Sequence, residues 1–310
     1  GTAAYAGEVA KYAIEQLARI PVSVELAHEL RYRNPVIDEK TLVVAISQSG
    51  ETMDTLMAVR YASERGAKVL SICNTQGATL ARESDATIYT HAGPEVAVAS
   101  TKAFSAQITA GYLLALFLAH ATGKTENLDH IGKQLLSLPR KVKTTLEMTG
   151  DVAEFAGELK DIQSVLFLGR NVGFPIAMEG ALKLKELSYI HAEGFAAGEL
   201  KHGPIALIEP GQVVIVLVPA PSSAENLHAK VLANIQEINA RGAKVIAIAE
   251  QGDDEVAEFA AKVFYTPKTH PLLAPVLSVV PLHIFSMELA KAKGLDVDQP
   301  RNLAKSVTVE

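Results

Sequence analysis

Tryptophan is absent from the 310 residues, and aromatic side chains make up only 5% of them. Broad stacking platforms for single-stranded nucleic acid are therefore scarce. Cysteine occurs once, as Cys73, which excludes an intrachain disulfide and any zinc site built on cysteine ligands. Positive charge is not in excess: 29 Lys and Arg against 35 Asp and Glu leave a formal charge of −6. No basic face for nucleic acid is implied, and an anionic ligand would need a local device rather than help from the global field. No basic segment precedes an apolar one at Gly1-Thr2-Ala3-Ala4, so no secretory signal is expected, and with one cysteine the cytoplasm is the expected compartment. The longest apolar run, Ile108–Ala119 inside Ala103–Thr122, falls short of the roughly 20 residues a membrane span needs and reads as a buried helix. No strand leads into G-x-G-x-x-G, and Gly123-Lys124-Thr125 has Leu118 where a phosphate-binding P-loop needs glycine. Neither a nicotinamide cofactor nor a nucleotide is indicated, and no cofactor or metal is expected.

What is present is an ordinary globular composition, 48% hydrophobic and 21% charged, with length for about two domains. Apolar runs at Thr41–Ser47, Lys68–Cys73, Ser164–Leu168, Gln212–Pro219 and Lys244–Ala249 are continuous rather than alternating, as strands covered on both faces are. Helical patterns such as Met53–Arg65 and Asn226–Arg241 separate them, so the fold class is α/β with parallel sheets. The string Gly66-Ala67-Lys68-Val69 returns as Gly242-Ala243-Lys244-Val245, each preceded by a strand, a hydroxyl-bearing loop and a helix. Two copies of one unit are expected, residues 1–149 and 150–310. The second copy opens with the strand Ser164–Leu168 running into Gly169; the matching glycine of the first is Gly1. The first copy is therefore expected to lack its opening strand, as in a piece of a longer protein.

Four stretches could carry chemistry. Ser47-Gln48-Ser49-Gly50-Glu51-Thr52 lies between a strand and a helix, where free helix N–H groups and clustered hydroxyls would cradle a phosphate; the plainer reading is helix capping by Ser49 or Thr52. Val98-Ala99-Ser100-Thr101-Lys102 is a second such loop. Glu179, Lys183 and Glu186 fall at i, i+4 and i+7 on one helix face among apolar neighbours, either a surface salt-bridge ladder or a reactive row. His202, ahead of Gly203-Pro204, sits in a turn where a histidine can reach a pocket or simply meet solvent. The tail Pro300–Glu310 carries Lys305, and its Leu303, Ala304, Val307 and Val309 could pack. His191-Ala192-Glu193 has the H-x-E spacing of zinc deaminases but no C-x-x-C to complete it.

SQSGET, STKAF, EGALKLKELSYIHAEGFAAGELKHGP and PRNLAKSVTVE together resemble the isomerase domain of the glucosamine-6-phosphate synthase (glutamine–fructose-6-phosphate aminotransferase) family. The resemblance runs from Gly1 to Glu310. It implies two sugar-isomerase (SIS) units, each a doubly wound, flavodoxin-like three-layer unit. It implies fructose 6-phosphate and glucosamine 6-phosphate as ligands, a homodimer with shared sites, and a glutaminase domain in the full-length protein. Ser47, Gln48, Ser49 and Thr52 then resemble the phosphate site; Thr2, Val98, Ser100 and Ala304 resemble sugar contacts. Glu186 looks like the base that moves a proton between C1 and C2, with Lys183 and Glu179 on its face. His202 looks like the ring-opening histidine, and Lys305 like the Schiff-base lysine. Ala3 stands where the family commonly has serine, and the adjacent tyrosine is displaced to Tyr5. Cys73 lies within a strand and reads as a packing residue, so this chain is not expected to hydrolyse glutamine. A non-catalytic SIS module that senses a sugar phosphate is the alternative.

Overall fold

The computed structural model describes residues 1–306 and 308. The chain divides into two compact units, residues 1–126 with 301–310, and residues 127–300. This differs from the expected division at 149/150: a long helix assigned by sequence to the first domain belongs to the second unit, and the tail belongs to the first.

In the first unit the order is α1 (Thr2–Leu17), α2 (Ala27–Leu30), β1 (Leu42–Ser47), α3 (Met53–Ser63), β2 (Lys68–Cys73), α4 (Thr79–Glu83), β3 (Ala86–Tyr89) and α5 (Lys102–Ala121). The strands pair parallel in the order β1-β2-β3, Val43 opposite Val69 and Leu70 opposite Ala86. Alternate strand residues point to opposite faces, so Ala45 and Val69 join Leu56, Val59 and Leu80 of α3 and α4 in one cluster. Helices α1 and α5 pack on each other and on the sheet. Among the described residues β1 has β2 on one side and no strand on the other, and Leu42 is accordingly exposed. α5 is 20 residues long and apolar enough to cross a membrane by length and composition, as is the segment Pro271–Ala292. That corrects the reading of the run as too short; 56% of the α5 window is nonetheless buried, as in a core helix.

The second unit runs α6 (Leu128–Met148), α7 (Val152–Glu158), β4 (Ser164–Gly169), α8 (Gly173–Ser188), β5 (His191–Ala196), β6 (Val213–Leu217), α9 (Leu227–Asn239), β7 (Lys244–Glu250), β8 (Lys262–Thr266) and α10 (Ala274–Ala292). Its parallel sheet has the order β5-β4-β6-β7-β8. Residues of β6 are buried throughout, as a continuous apolar run predicts. One face of the sheet, including Leu166, Leu168, Val214, Val216 and Ala247, packs on Val231, Leu232, Ile235 and Ile238 of α9. The other carries Phe167 against α8. α6 packs on α10 and β8, which is why it falls in this unit. β6, β7 and β8 repeat β1, β2 and β3 in order; β4 and β5 have no counterpart among the described residues of the first unit.

Candidate active site

The carboxyl end of β1 feeds the Ser47–Thr52 loop. Ser47 is buried, and its hydroxyl oxygen accepts from the Gly50 N–H at 3.0 Å. Ser49 Oγ accepts from Glu51 N–H at 3.2 Å. Gln48 lends its carbonyl oxygen to the Asn74 N–H at 3.2 Å and the Thr75 hydroxyl at 3.3 Å. Gly50 has φ +69°, and a Cβ there would stand 2.6 Å from Ala78 Cβ and 2.8 Å from Cys73 Sγ. Glycine is thus required twice over, for the left-handed backbone and for the approach to β2. Glu51 Oε1 accepts from the Thr79 N–H at 2.8 Å, and that hydrogen bond holds its carboxyl below the ordinary value. The loop is thereby tied to the start of α4, with the Glu51 charge directed there.

Thr52 occupies the N-cap position of α3 and makes no side-chain capping bond. Its hydroxyl is not spent on the cap, so capping by Thr52 is not realised. The side chains of Ser47, Ser49 and Thr52 each keep an O–H to donate, beside the unpaired N–H groups of a helix start, and this set suits a phosphate. Cys73 is buried beneath the loop, and burial raises its thiol pKa, which agrees with a packing role.

The second loop forms around a residue the sequence reading passed over. Glu95 accepts from the Thr101 N–H at 2.8 Å and the Ala103 N–H at 3.4 Å, at the start of α5. Its Oε2 lies 3.2 Å from Lys305 Nζ. Lys305 also donates to the Ala97 carbonyl at 2.8 Å and reaches the Val98 carbonyl and Ser100 Oγ, both at 3.5 Å. Burial pushes Glu95 upward, but the Thr101 N–H and the Lys305 charge outweigh it and its carboxyl ends below the ordinary value. So Lys305, Val98 and Ser100 are brought together. Thr2 opens α1 and is half-buried. Leu303 and Ala304 are exposed rather than packed, which corrects that expectation, and Val307 and Val309 lie outside the described residues.

The row on α8 belongs to the second unit. Lys183 Nζ stands 2.5 Å from Glu186 Oε2 and 3.7 Å from Glu179 Oε1. Glu179 and Lys183 side chains are 0% and 1% exposed, and Glu186 is 21% exposed. A surface ladder is excluded by that burial. A buried lysine between two carboxylates is stable only because it is paired, and Glu186 is the end of the row that solvent or a ligand can reach. α8 is held close to its neighbours by glycines. A Cβ on Gly180 would meet Leu282 of α10 at 2.8 Å and the Phe167 ring of β4 at 2.9 Å; one on Gly194 of β5 would meet Met178 at 2.8 Å. His283 of α10, also missed by sequence reading, lies with Nε2 at 3.5 Å from Glu179 Oε1. A lone histidine in an apolar helix gives no spacing signal.

His202 ends the 3-10 turn Ala197–His202 and is exposed, with Gly203 following at φ +145°. The structure does not bring it to the α8 row by any hydrogen bond or ion pair. Its neighbour Lys201 pairs with Glu237 of α9 at 2.7 Å. His191 and Glu193 pair with each other at 2.8 Å on the exposed edge of β5.

Comparison with known proteins finds relatives along the whole chain. The SIS domain family model matches residues 1–117 and 158–292. The chain is 66% identical to the glutamine–fructose-6-phosphate aminotransferase (isomerizing) of Leifsonia xyli subsp. xyli over 100% of its own length and 51% of that protein. It thus spans about half the length of the curated relatives it matches. Among solved structures, it is similar to the C-terminal domain of glucosamine-fructose-6-phosphate aminotransferase from Francisella tularensis, with a TM-score of 0.92 and 40% identity over 96% of this chain and 84% of that one. The glucosamine-6-phosphate deaminase of Thermotoga maritima is also similar, with a TM-score of 0.78 and 25% identity over 99% and 88% of the two chains.

Proposed function

The chain belongs to the SIS-domain family and, within it, to the C-terminal halves of the aminotransferases just described; from that premise we propose that it converts fructose 6-phosphate and ammonia to glucosamine 6-phosphate and water. The observation that carries the reading is the buried Glu179–Lys183–Glu186 row with only its Glu186 end accessible. A sensor that merely holds a sugar phosphate has no need to bury a lysine between two carboxylates and leave one of them open.

Ser47, Gln48, Ser49 and Thr52 hold the phosphate, so that binding energy remote from the reacting carbons orients them. Thr2, Val98, Ser100 and Ala304 contact the sugar. The Lys305 amine, once deprotonated, adds to the C2 ketone; loss of water gives the imine, and ammonia displaces the lysine. Glu186 takes a proton from C1 and returns it to C2, which turns the ketose imine into the aldose amine without net oxidation. Lys183 stabilises the charge that moves onto the Glu186 side, and Glu179 holds Lys183. His202 assists ring opening, in the site of a second copy, within a cytoplasmic homodimer. A glutaminase domain in the full-length protein supplies the ammonia.

The test is a coupled assay of fructose 6-phosphate conversion by this chain with no nitrogen source, with ammonium, and with glutamine. Glucosamine 6-phosphate with ammonium but not with glutamine is the expected result. Binding of fructose 6-phosphate without turnover in any arm would replace the enzyme by the sensor.

A further inference from the structure

We infer that His283 is a positioning residue for this reaction, acting through Glu179 and Lys183 on the base Glu186; the inference rests on the function proposed above. It starts from packing. Gly180 leaves no side chain between α8 and α10, so Leu282 closes against the helix at the Gly180 position. The next residue, His283, is then set beside Glu179, with Nε2 and Oε1 3.5 Å apart and side chains 10% and 0% exposed. The same Oε1 atom is the one that stands 3.7 Å from Lys183 Nζ.

Two carboxylates therefore compete for one buried ammonium, and the distances show the outcome: Lys183 sits 2.5 Å from Glu186 and 3.7 Å from Glu179. A buried carboxylate must be matched by donors or cations, and inside the protein that demand is weakly screened. His283 Nε2 stands 3.5 Å from Glu179 Oε1 without a hydrogen bond between them, a polar neighbour that meets part of that demand by proximity and releases Lys183 toward Glu186. Without a polar side chain at 283, Glu179 draws Lys183 back, and Glu186 loses the partner that fixes its position. Glu179 and His283 are too deeply placed to touch sugar themselves, so the effect falls on the proton transfer and not on binding. The phosphate loop lies in the other unit and is untouched.

The experiment compares the 310-residue wild type with His283→Leu and His283→Gln. Each variant is assayed with fructose 6-phosphate and ammonium, and each is crystallised. Leu keeps bulk without a polar group, and Gln restores a polar group at that place. His283→Leu is expected to lower kcat about tenfold or more, in the range a small misplacement of a catalytic group produces, with KM within about twofold. His283→Gln is expected to recover most of kcat. In the His283→Leu crystal, Lys183 Nζ is expected within hydrogen-bond reach of Glu179 and farther from Glu186 than in the wild type. Unchanged kcat in His283→Leu, or equal loss in both variants, overturns the inference. If the wild type itself shows no turnover, the functional reading fails separately, and the Lys183 position in the His283→Leu crystal still decides whether His283 governs the row.

Discussion

Gly50→Ala is the sharpest test of the phosphate-binding role proposed for the Ser47–Thr52 loop, because the structure supplies two independent costs. The residue has φ +69°, and an L-residue in that region costs roughly 1–2 kcal/mol. The new methyl would also stand 2.6 Å from Ala78 Cβ and 2.8 Å from Cys73 Sγ. Neither neighbour is the end of a flexible chain: Cys73 ends β2 and Ala78 caps α4, and both are buried. Overpacking of this kind typically costs about 1–3 kcal/mol. The sum is about 2–5 kcal/mol if the loop stays in place. Relaxation will move the loop rather than the sheet, and will thereby take Ser47, Ser49 and Thr52 off their positions. Stability by urea denaturation and fructose 6-phosphate affinity by calorimetry should both fall, the latter by about tenfold or more, since 1.4 kcal/mol is a factor of ten. Adding Cys73→Ala removes one of the two clashes and should return part of the stability, a coupling that a double-mutant cycle reads directly. A stability loss under about 0.5 kcal/mol with unchanged affinity would refute both the steric argument and the loop's role.

Glu186→Gln should leave fructose 6-phosphate affinity near the wild-type value and lower kcat by about a hundredfold or more, the usual range for a lost general base; comparable turnover in steady-state assays would remove Glu186 from that role. Glu95 gives a pH signature: its folded pKa is depressed, so its contribution is present above the unfolded value near 4.5 and is lost as pH falls through the lower folded value. The stability gap between wild type and Glu95→Gln, from urea titrations, should therefore be widest near neutral pH and shrink below the ordinary carboxylate range; a gap that does not change with pH would show that the Glu95 charge is irrelevant. Cys73 is buried with a raised pKa, so iodoacetamide at pH 8 should label it in urea but hardly at all in the folded chain, as mass spectrometry would report. Gly180→Val should destabilise the second unit by about 1–3 kcal/mol or more, because Leu282 and Phe167 already fill the space; a neutral effect in thermal melts would mean that α8 and α10 are not held together there.

What could be read from sequence was what is local. The strands with continuous apolar runs, β1, β2, β4, β6 and β7, were visible because burial on both faces leaves that pattern. The strands that were not read, β3, β5 and β8, each have, among the described residues, a neighbour strand on one side only, and a sheet edge tolerates the polar and glycine residues of His191–Ala196. The Ser47–Thr52 loop was legible because its hydroxyls, its glycine and its helix start are consecutive. The α8 row was legible as a spacing, but its burial was not, since burial depends on Gly180 and Gly194 admitting elements distant in sequence. Glu95 and His283 escaped for the same reason: the partners of Glu95 include Lys305, 210 residues on, and those of His283 lie on another helix. The division into units also depends on tertiary packing. An amphipathic α6 shows that it must cover something, not that the something is α10 and β8.

The two lysines illustrate how burial separates roles that residue type cannot. Lys183 is 1% exposed and lies between two carboxylates. Buried and paired on both sides, it suits the role proposed for it, fixed electrostatics that costs no reorganisation when charge moves nearby. Lys305 is 27% exposed, is carried on a tail, and is held by one carboxylate and by carbonyl oxygens that water can replace. The role proposed for it, in which a lysine loses a proton, forms an imine and is displaced again, calls for that kind of environment. Its resting contacts also keep the Ala97–Ser100 loop and the tail in one place, so the amine is stored where Val98 and Ser100 are. Exchanging the environments would disable both: a buried Lys305 could not turn over, and an exposed Lys183 would be screened by solvent and hold Glu186 only weakly.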